Sequence, residues 1–244
     1  MRAVVWRLSS WAVRTLGVMA LLTAQPPSCL MAQVGHDPFN SPYRDIPLHP
    51  ALFVFGGHLS HDRGRTGAGP SNASTFGARY EMPAGHSMGF QFTLAYLRGD
   101  RFILDPRVDS TSPYRKQGPF PTDLGLAEIG LQLRLTGGKT WHGLAPYVGT
   151  GLGLMFDLNS PGDTTLSGYQ FGTKISLAGS TGVRWYASRH LVVNADLRAH
   201  LWRLKYPLSF HVPAPDNSQI VAPNQPLSDW TAHPWVSVGL GWIF

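Results

Sequence analysis

The carboxyl-terminal ten residues alternate with a strict period of two. Val236, Val238, Leu240, Trp242 and Phe244 take one set of positions, and Ser237, Gly239 and Gly241 take the other. Successive side chains of a strand point to opposite sides of its sheet, so this stretch is expected to be a strand with one greasy face and one small or polar face. The question it poses is what covers the greasy face.

Seven earlier stretches share the pattern. Residues 51–60 set Ala51, Phe53, Phe55 and Leu59 against His58 and Ser60, which this reading points inward. Residues 73–82 set Phe76, Ala78, Tyr80 and Met82 against Thr75, Gly77, Arg79 and Glu81, and residues 86–97 set Met88, Phe90, Phe92, Leu94 and Tyr96 against Gly89, Gln91, Thr93 and Ala95. In residues 124–135, Ala127, Ile129, Leu131, Leu133 and Leu135 oppose Glu128, Gly130, Gln132 and Arg134. In residues 144–158, Val148, Leu152, Leu154 and Phe156 oppose Gly149, Gly151, Gly153 and Asp157. In residues 171–186, Phe171, Ile175, Leu177, Val183 and Trp185 oppose Lys174, Ser176, Ser180 and Arg184. In residues 191–202, Leu191, Val193, Ala195, Leu197 and Leu201 oppose Asn194, Asp196, Arg198 and His200.

The connections alternate in length. Residues 83–85, 136–143 and 187–189 are short, whereas residues 61–72, 98–123, 159–170 and 203–234 are long. A soluble sandwich has no reason to sort its loops in this way. Membrane barrels do, with short turns on the periplasmic side and long loops outside, and an even strand count then leaves both termini in the periplasm. Hydrophobic residues make up 43% of the chain and charged ones only 14%, yet no apolar run reaches the ~20 residues of a spanning helix. Such a chain can still live in a bilayer if its strands close into a barrel, because closure pairs every backbone group. The expected fold is therefore all-β, a transmembrane eight-stranded antiparallel up-and-down barrel over residues 51–244.

Residues 1–32 read as an export signal, with Arg2, Arg7 and Arg14 ahead of an apolar run from Leu16 to Ala24; cleavage fits after Ala24 or after Ala32. Residues 33–50 read as a proline-broken periplasmic leader without strand pattern. The signal holds three of the 20 basic residues and none of the 14 acidic ones, so the remainder carries +3 and presents no basic, aromatic-laced patch for nucleic acid. Cys29 is the only cysteine, which excludes a disulfide or a CxxC metal pair, and the scattered histidines suggest no metal or other cofactor.

A barrel of eight strands is just wide enough for its own side chains to fill. The inward set includes five cations, Arg79, Arg134, Lys174, Arg184 and Arg198, and four carboxylates, Glu81, Glu128, Asp157 and Asp196. Buried charges must be paired and hydrogen-bonded, so a polar network is expected, with Gly149, Gly151 and Gly153 leaving room for the arginines. Two aromatic belts are also expected. Tyr80, Trp141, Tyr147, Trp185, Trp242 and Phe244 would form one near the short turns, and Tyr96, Phe156, Phe171, Trp202 and Trp235 the other near the long loops.

The signal, the alternating strands, the loop order and the Trp242-Ile243-Phe244 ending together resemble the small bacterial outer-membrane β-barrel family of the OmpA transmembrane domain, OmpX, OmpW and Ail-like proteins. The resemblance implies an outer-membrane location, lipid and lipopolysaccharide as surroundings, a monomer, and Leu240, Trp242 and Phe244 as the barrel-closing signal for the outer-membrane assembly machinery. It implies a non-catalytic structural or surface-interaction role through the long loops. Two alternatives stand beside it: a channel for small solutes or hydrophobic compounds of the OmpW type, and a lipid A-modifying enzyme of the deacylase type using His58 and Ser60, whose spacing puts imidazole and hydroxyl on one face of a strand.

Overall fold

The computed structural model describes residues 41–244 apart from 61, 161–164 and 166; the export signal and the first part of the leader lie outside the described residues. Ten strands follow one another: β1 (Tyr43–Asp45), β2 (Ala51–Leu59), β3 (Ala73–Pro83), β4 (Met88–Leu104), β5 (Lys116–Arg134), β6 (Lys139–Trp141), β7 (Leu144–Asn159), β8 (Lys174–Tyr186), β9 (Leu191–Lys205) and β10 (Ser228–Ile243). Eight of them form a closed antiparallel ring in the order β7-β5-β4-β3-β2-β10-β9-β8, which β8 completes by pairing with β7. Strand β10, the period-two stretch at the end of the chain, zips to β2 from Ala51↔Ile243 to Leu59↔Trp235. Each ring strand pairs with its neighbours in sequence, so the fold is an up-and-down, eight-stranded barrel.

Outside the ring, β1 pairs with β6 from Tyr43↔Trp141 to Asp45↔Lys139. The leader is thus not strandless, as its prolines suggest. Three residues suffice because the 136–143 connection offers a free edge, because Ile46 is buried, and because the Ile46 N–H donates to Gly138 O at 2.8 Å.

Side chains sort by face as expected on seven of the eight ring strands. Leu94 and Ile175 stand 64% and 65% exposed on the outside, while Arg79 and Arg198 are 1% and 2% exposed within. A ring of exposed Phe, Leu, Ile and Val on all sides exceeds any apolar patch a water-soluble monomer carries, and it fits lipid as the surrounding solvent. Among the described residues no helix is long and apolar enough to cross a membrane.

Strand β2 is the exception. Ala51, Phe53, Phe55 and Leu59 point inward and are buried, whereas Leu52, Val54, His58 and Ser60 are exposed. The run from Ala51 to Phe55 is apolar at every position, so alternation there carries no information, and pairing with β3 and β10 decides the parity.

The aromatic belts need a similar correction. Tyr80, Trp141, Trp185, Trp242 and Phe244 are exposed near the short turns, but Tyr147, Phe171, Trp202 and Trp235 are all buried. Tyr147, Trp202 and Trp235 share the parity of the polar inward set of their strands, and that parity places their rings inside, whereas Phe171 precedes β8 and packs edge-on against Trp202.

The strands also run further than expected at the long-loop end. Much of residues 98–123 is hairpin, with β4 and β5 paired from Arg98↔Asp123 out to Leu104↔Lys116, and β9 and β10 remain paired out to Lys205↔Ser228.

Candidate functional site

The lumen has two parts. Its middle and short-turn side are charged. Asp196 on β9 is the hub: its Oδ2 accepts from Arg79 Nη2 at 2.8 Å and from Arg198 Nε at 2.6 Å, and its Oδ1 accepts from the Tyr147 hydroxyl at 2.8 Å. Arg198 reaches across to Glu128 Oε1 and donates to Gln91 Oε1 at 3.1 Å. Arg79 also donates to Thr93 Oγ1 at 3.3 Å. A separate pair lies nearer the short turns, where Arg184 donates to Glu81 Oε1 at 2.6 Å and to Gln132 Oε1 at 2.5 Å. These ions are buried and lie on strands that face one another across the lumen, so each carboxylate offsets the desolvation of an arginine from another strand.

Phe53 and Phe55 complete this layer. The Arg79 guanidinium lies 5.3 Å from the Phe55 ring centre, and that of Arg184 lies 5.2 Å from Phe53 and 4.9 Å from Tyr147. Cation–π contact inside a desolvated lumen gives the arginine faces a partner that hydrogen bonds cannot supply. Glycines seat these groups. A Cβ on Gly151 would sit 2.7 Å from the Glu128 carboxyl carbon, and one on Gly182 would sit 2.6 Å from the Tyr147 ring. The space left by Gly151 thus goes to the carboxylate that holds Arg198, not to the arginine itself.

Of the expected network, Arg79, Glu81, Glu128, Arg184, Asp196 and Arg198 come together. Arg134 lies at the short-turn mouth and donates to His86 O at 3.3 Å. Asp157 and Lys174 stand at the long-loop ends of β7 and β8, half-buried and outside these pairs, with Lys174 Nζ 5.5 Å from the Phe171 ring. The mouth recess lined by Glu81, Arg134 and Arg184 has about 20 Å³ of free volume, room for about one water.

Toward the long loops the lumen turns apolar. Leu59, Leu97, Leu124, Leu126, Met155, Trp202 and Trp235 fill it, and the same cluster continues through Phe171 and Leu204 into Tyr169, Tyr206, Phe210 and Val221 of the loops. Rings carry the contact upward. Trp235 lies 5.7 Å from Phe55 and 5.1 Å from His200, Trp202 stacks on His233 at 3.5 Å, and Phe210 stacks on Tyr169 at 6.2 Å and on Tyr206 at 6.0 Å. His200 joins the two parts: its Nδ1 lies 3.1 Å from Ser176 Oγ and 3.7 Å from Glu128 Oε2.

Over the long-loop end of the lumen the described loop residues form a cap held by contacts between loops. Arg65 N–H donates to Asp229 Oδ2 at 2.9 Å, tying the β2–β3 loop to β10. Asp216 accepts from the backbone and hydroxyl of Ser110, both at 2.8 Å, which ties the β9–β10 loop to the β4–β5 hairpin tip. Phe102 is clasped between Lys116 at 4.1 Å and Arg63 at 4.7 Å. Hydrogen bonds from Ser218 and Ser110 hold the Asp216 carboxyl below the usual carboxylate range, and burial raises the Tyr169 and Tyr206 phenols.

His58 and Ser60 lie on the outside of β2 at its long-loop end. The Ser60 hydroxyl donates to Asn72 Oδ1 at 3.5 Å, and neither residue forms an ion pair among the described residues. Among those residues no three His, Cys, Asp or Glu side chains are placed to hold a metal.

No protein-family model matches the chain, and no curated protein matches its sequence. Among solved structures it is similar to the outer membrane protein OprG from Pseudomonas aeruginosa, with a TM-score of 0.50 and 14% identity over 84% of this chain and 99% of that one. Neisserial surface protein A aligns with 16% identity over 80% and 97% of the two chains at a TM-score of 0.41. The N-terminal β-barrel domain of Pseudomonas aeruginosa OprF aligns with 12% identity over 78% and 96% at 0.40. The likeness to OprG is one of fold, that of a small outer-membrane β-barrel.

Proposed function

We propose that this chain is an exported outer-membrane barrel with both termini in the periplasm, that its lumen is sealed by its own side chains, and that it acts through the cap as a structural or surface-interaction protein without catalysis. The observation that carries this reading is the continuity of the filling. The charged layer spans the middle of the lumen, and the aromatic plug above it runs unbroken into the loops. Ordered loops on a rigid barrel are a common seat of binding. Outward-facing Leu240, Trp242 and Phe244 on the closing strand suit recognition by the assembly machinery.

A channel for hydrophobic compounds would draw on the apolar upper lumen, but that region is occupied by side chains. For a lipid A deacylase, the outward placement of His58 and Ser60 would suit a lipid substrate, yet among the described residues His58 forms no ion pair with a carboxylate that would orient its imidazole. Ser60→Ala is expected to leave the lipid A of an expressing host unchanged.

The test of the sealed lumen is conductance in planar bilayers. The folded chain is expected to give no discrete steps, and reproducible steps would overturn the reading. Replacing residues 207–226 with a short linker is then expected to abolish adhesion of expressing cells to coated surfaces if the cap binds, with the barrel still inserted.

A further inference from the structure

Strand β9 carries an unbroken apolar outer row from Leu191 through Val193, Ala195, Leu197 and Ala199 to Leu201. At the usual rise and tilt this row climbs about 25 Å along the membrane normal, the height of the apolar band of such barrels. The next two outward positions are Arg203 and Lys205, both exposed. On the adjoining strand, Trp230 lies directly opposite Arg203 and Ser228 opposite Lys205, so all four share the outer face. Trp230 is 62% exposed, and an indole in that position sits at headgroup level.

No described carboxylate neutralises the charges of this ledge. Neither Arg203 nor Lys205 forms an ion pair with a described carboxylate, and Arg203 Nη2 makes one hydrogen bond, to Ser228 Oγ at 2.5 Å. Asp229, between Ser228 and Trp230, has the opposite parity and accepts from the Arg65 backbone. Three other cations at the long-loop end are engaged: Arg98 lies 3.9 Å from Asp123, and Arg63 and Lys116 clasp Phe102. Two open cations beside an interfacial indole, at the edge of a lipid-facing band, match a phosphate on a lipid and not one free in solution.

We propose that Arg203, Lys205 and Trp230 form a lipid-binding ledge that holds the phosphate of anionic headgroups in the leaflet facing the long loops. The proposal rests on the membrane-barrel reading above and adds a site and a ligand class to it.

The full chain, folded in detergent, is titrated with diphosphoryl lipid A and bound lipid is counted by native mass spectrometry. The double variant R203Q/K205Q is expected to weaken binding about tenfold or more, in line with the attraction of two basic residues to an anionic lipid surface. R107Q, an exposed cation of the cap, is expected to bind as the unaltered chain does. Retained heat-dependent gel mobility shows that each variant keeps its barrel. Equal affinity of the double variant, equal binding of dephosphorylated lipid A, or displacement by millimolar inorganic phosphate would each overturn the ledge. Failure of the unaltered chain to fold in lipid or detergent would instead overturn the membrane-barrel reading.

Discussion

The two halves of the lumen solve the same packing problem with opposite chemistry. Around Asp196 the filling is ionic, and β3, β5, β8 and β9 each contribute a charge that another strand must answer. Around Trp235 and Trp202 it is apolar, and its partners come as much from the loops as from the barrel. The ionic half specifies geometry, because a misplaced partner leaves a buried charge exposed to a low dielectric. The apolar half tolerates displacement better, and what it achieves is attachment of the cap.

That contrast can be broken at its hub. Asp196→Ala leaves Arg79 and Arg198 without their shared carboxylate and is expected to cost about 3–5 kcal/mol, read as a shift in urea unfolding of the detergent-folded barrel. Unfolding unchanged from that of the unaltered chain would erase the distinction between the halves. Trp235→Ala is expected to cost about 3 kcal/mol and, unlike the first variant, to speed proteolysis within residues 206–227, since Trp235 stands at the base of the plug. Protection of those residues equal to the unaltered chain would detach the cap from the plug.

The smallest effect concerns acid. Asp216 is held ionised by Ser218 and Ser110, so its folded carboxyl titrates below its unfolded value. Its contribution to cap order is therefore complete above about pH 4, the ordinary aspartate range, and is lost as the pH falls toward its folded value. Loop proteolysis by an acid-active protease is expected to stay low at pH 4 and rise below it. Asp216→Ala should raise cleavage at neutral pH and remove the acid step, while the lumen network stays folded.

Much of this was legible before any coordinates. Wherever polar and apolar residues alternate cleanly, as from Asn194 to His200 or Leu131 to Arg134, period two named the inward residue. Tyr147, Trp202 and Trp235 were legible too, since each falls on the inward parity of its strand, but their aromatic character suggested the interface instead. Phe53 and Phe55 carried no such signal, because Leu52 and Val54 between them are equally apolar. Their service as faces for arginine depends on which partners β2 meets.

Taken alone, the sequence determined the number of strands in the ring, the alternation of loop lengths and the polar or apolar character of most inward positions, because those follow from local periodicity and spacing. Tertiary structure alone decided the parity of β2, the pairing of each arginine, the outward turn of His58 and Ser60, and the welding of loops to lumen. Each of these depends on which strand or loop lies across the barrel, and residues that meet there are far apart in the chain: Arg79 and Asp196 are 117 positions apart.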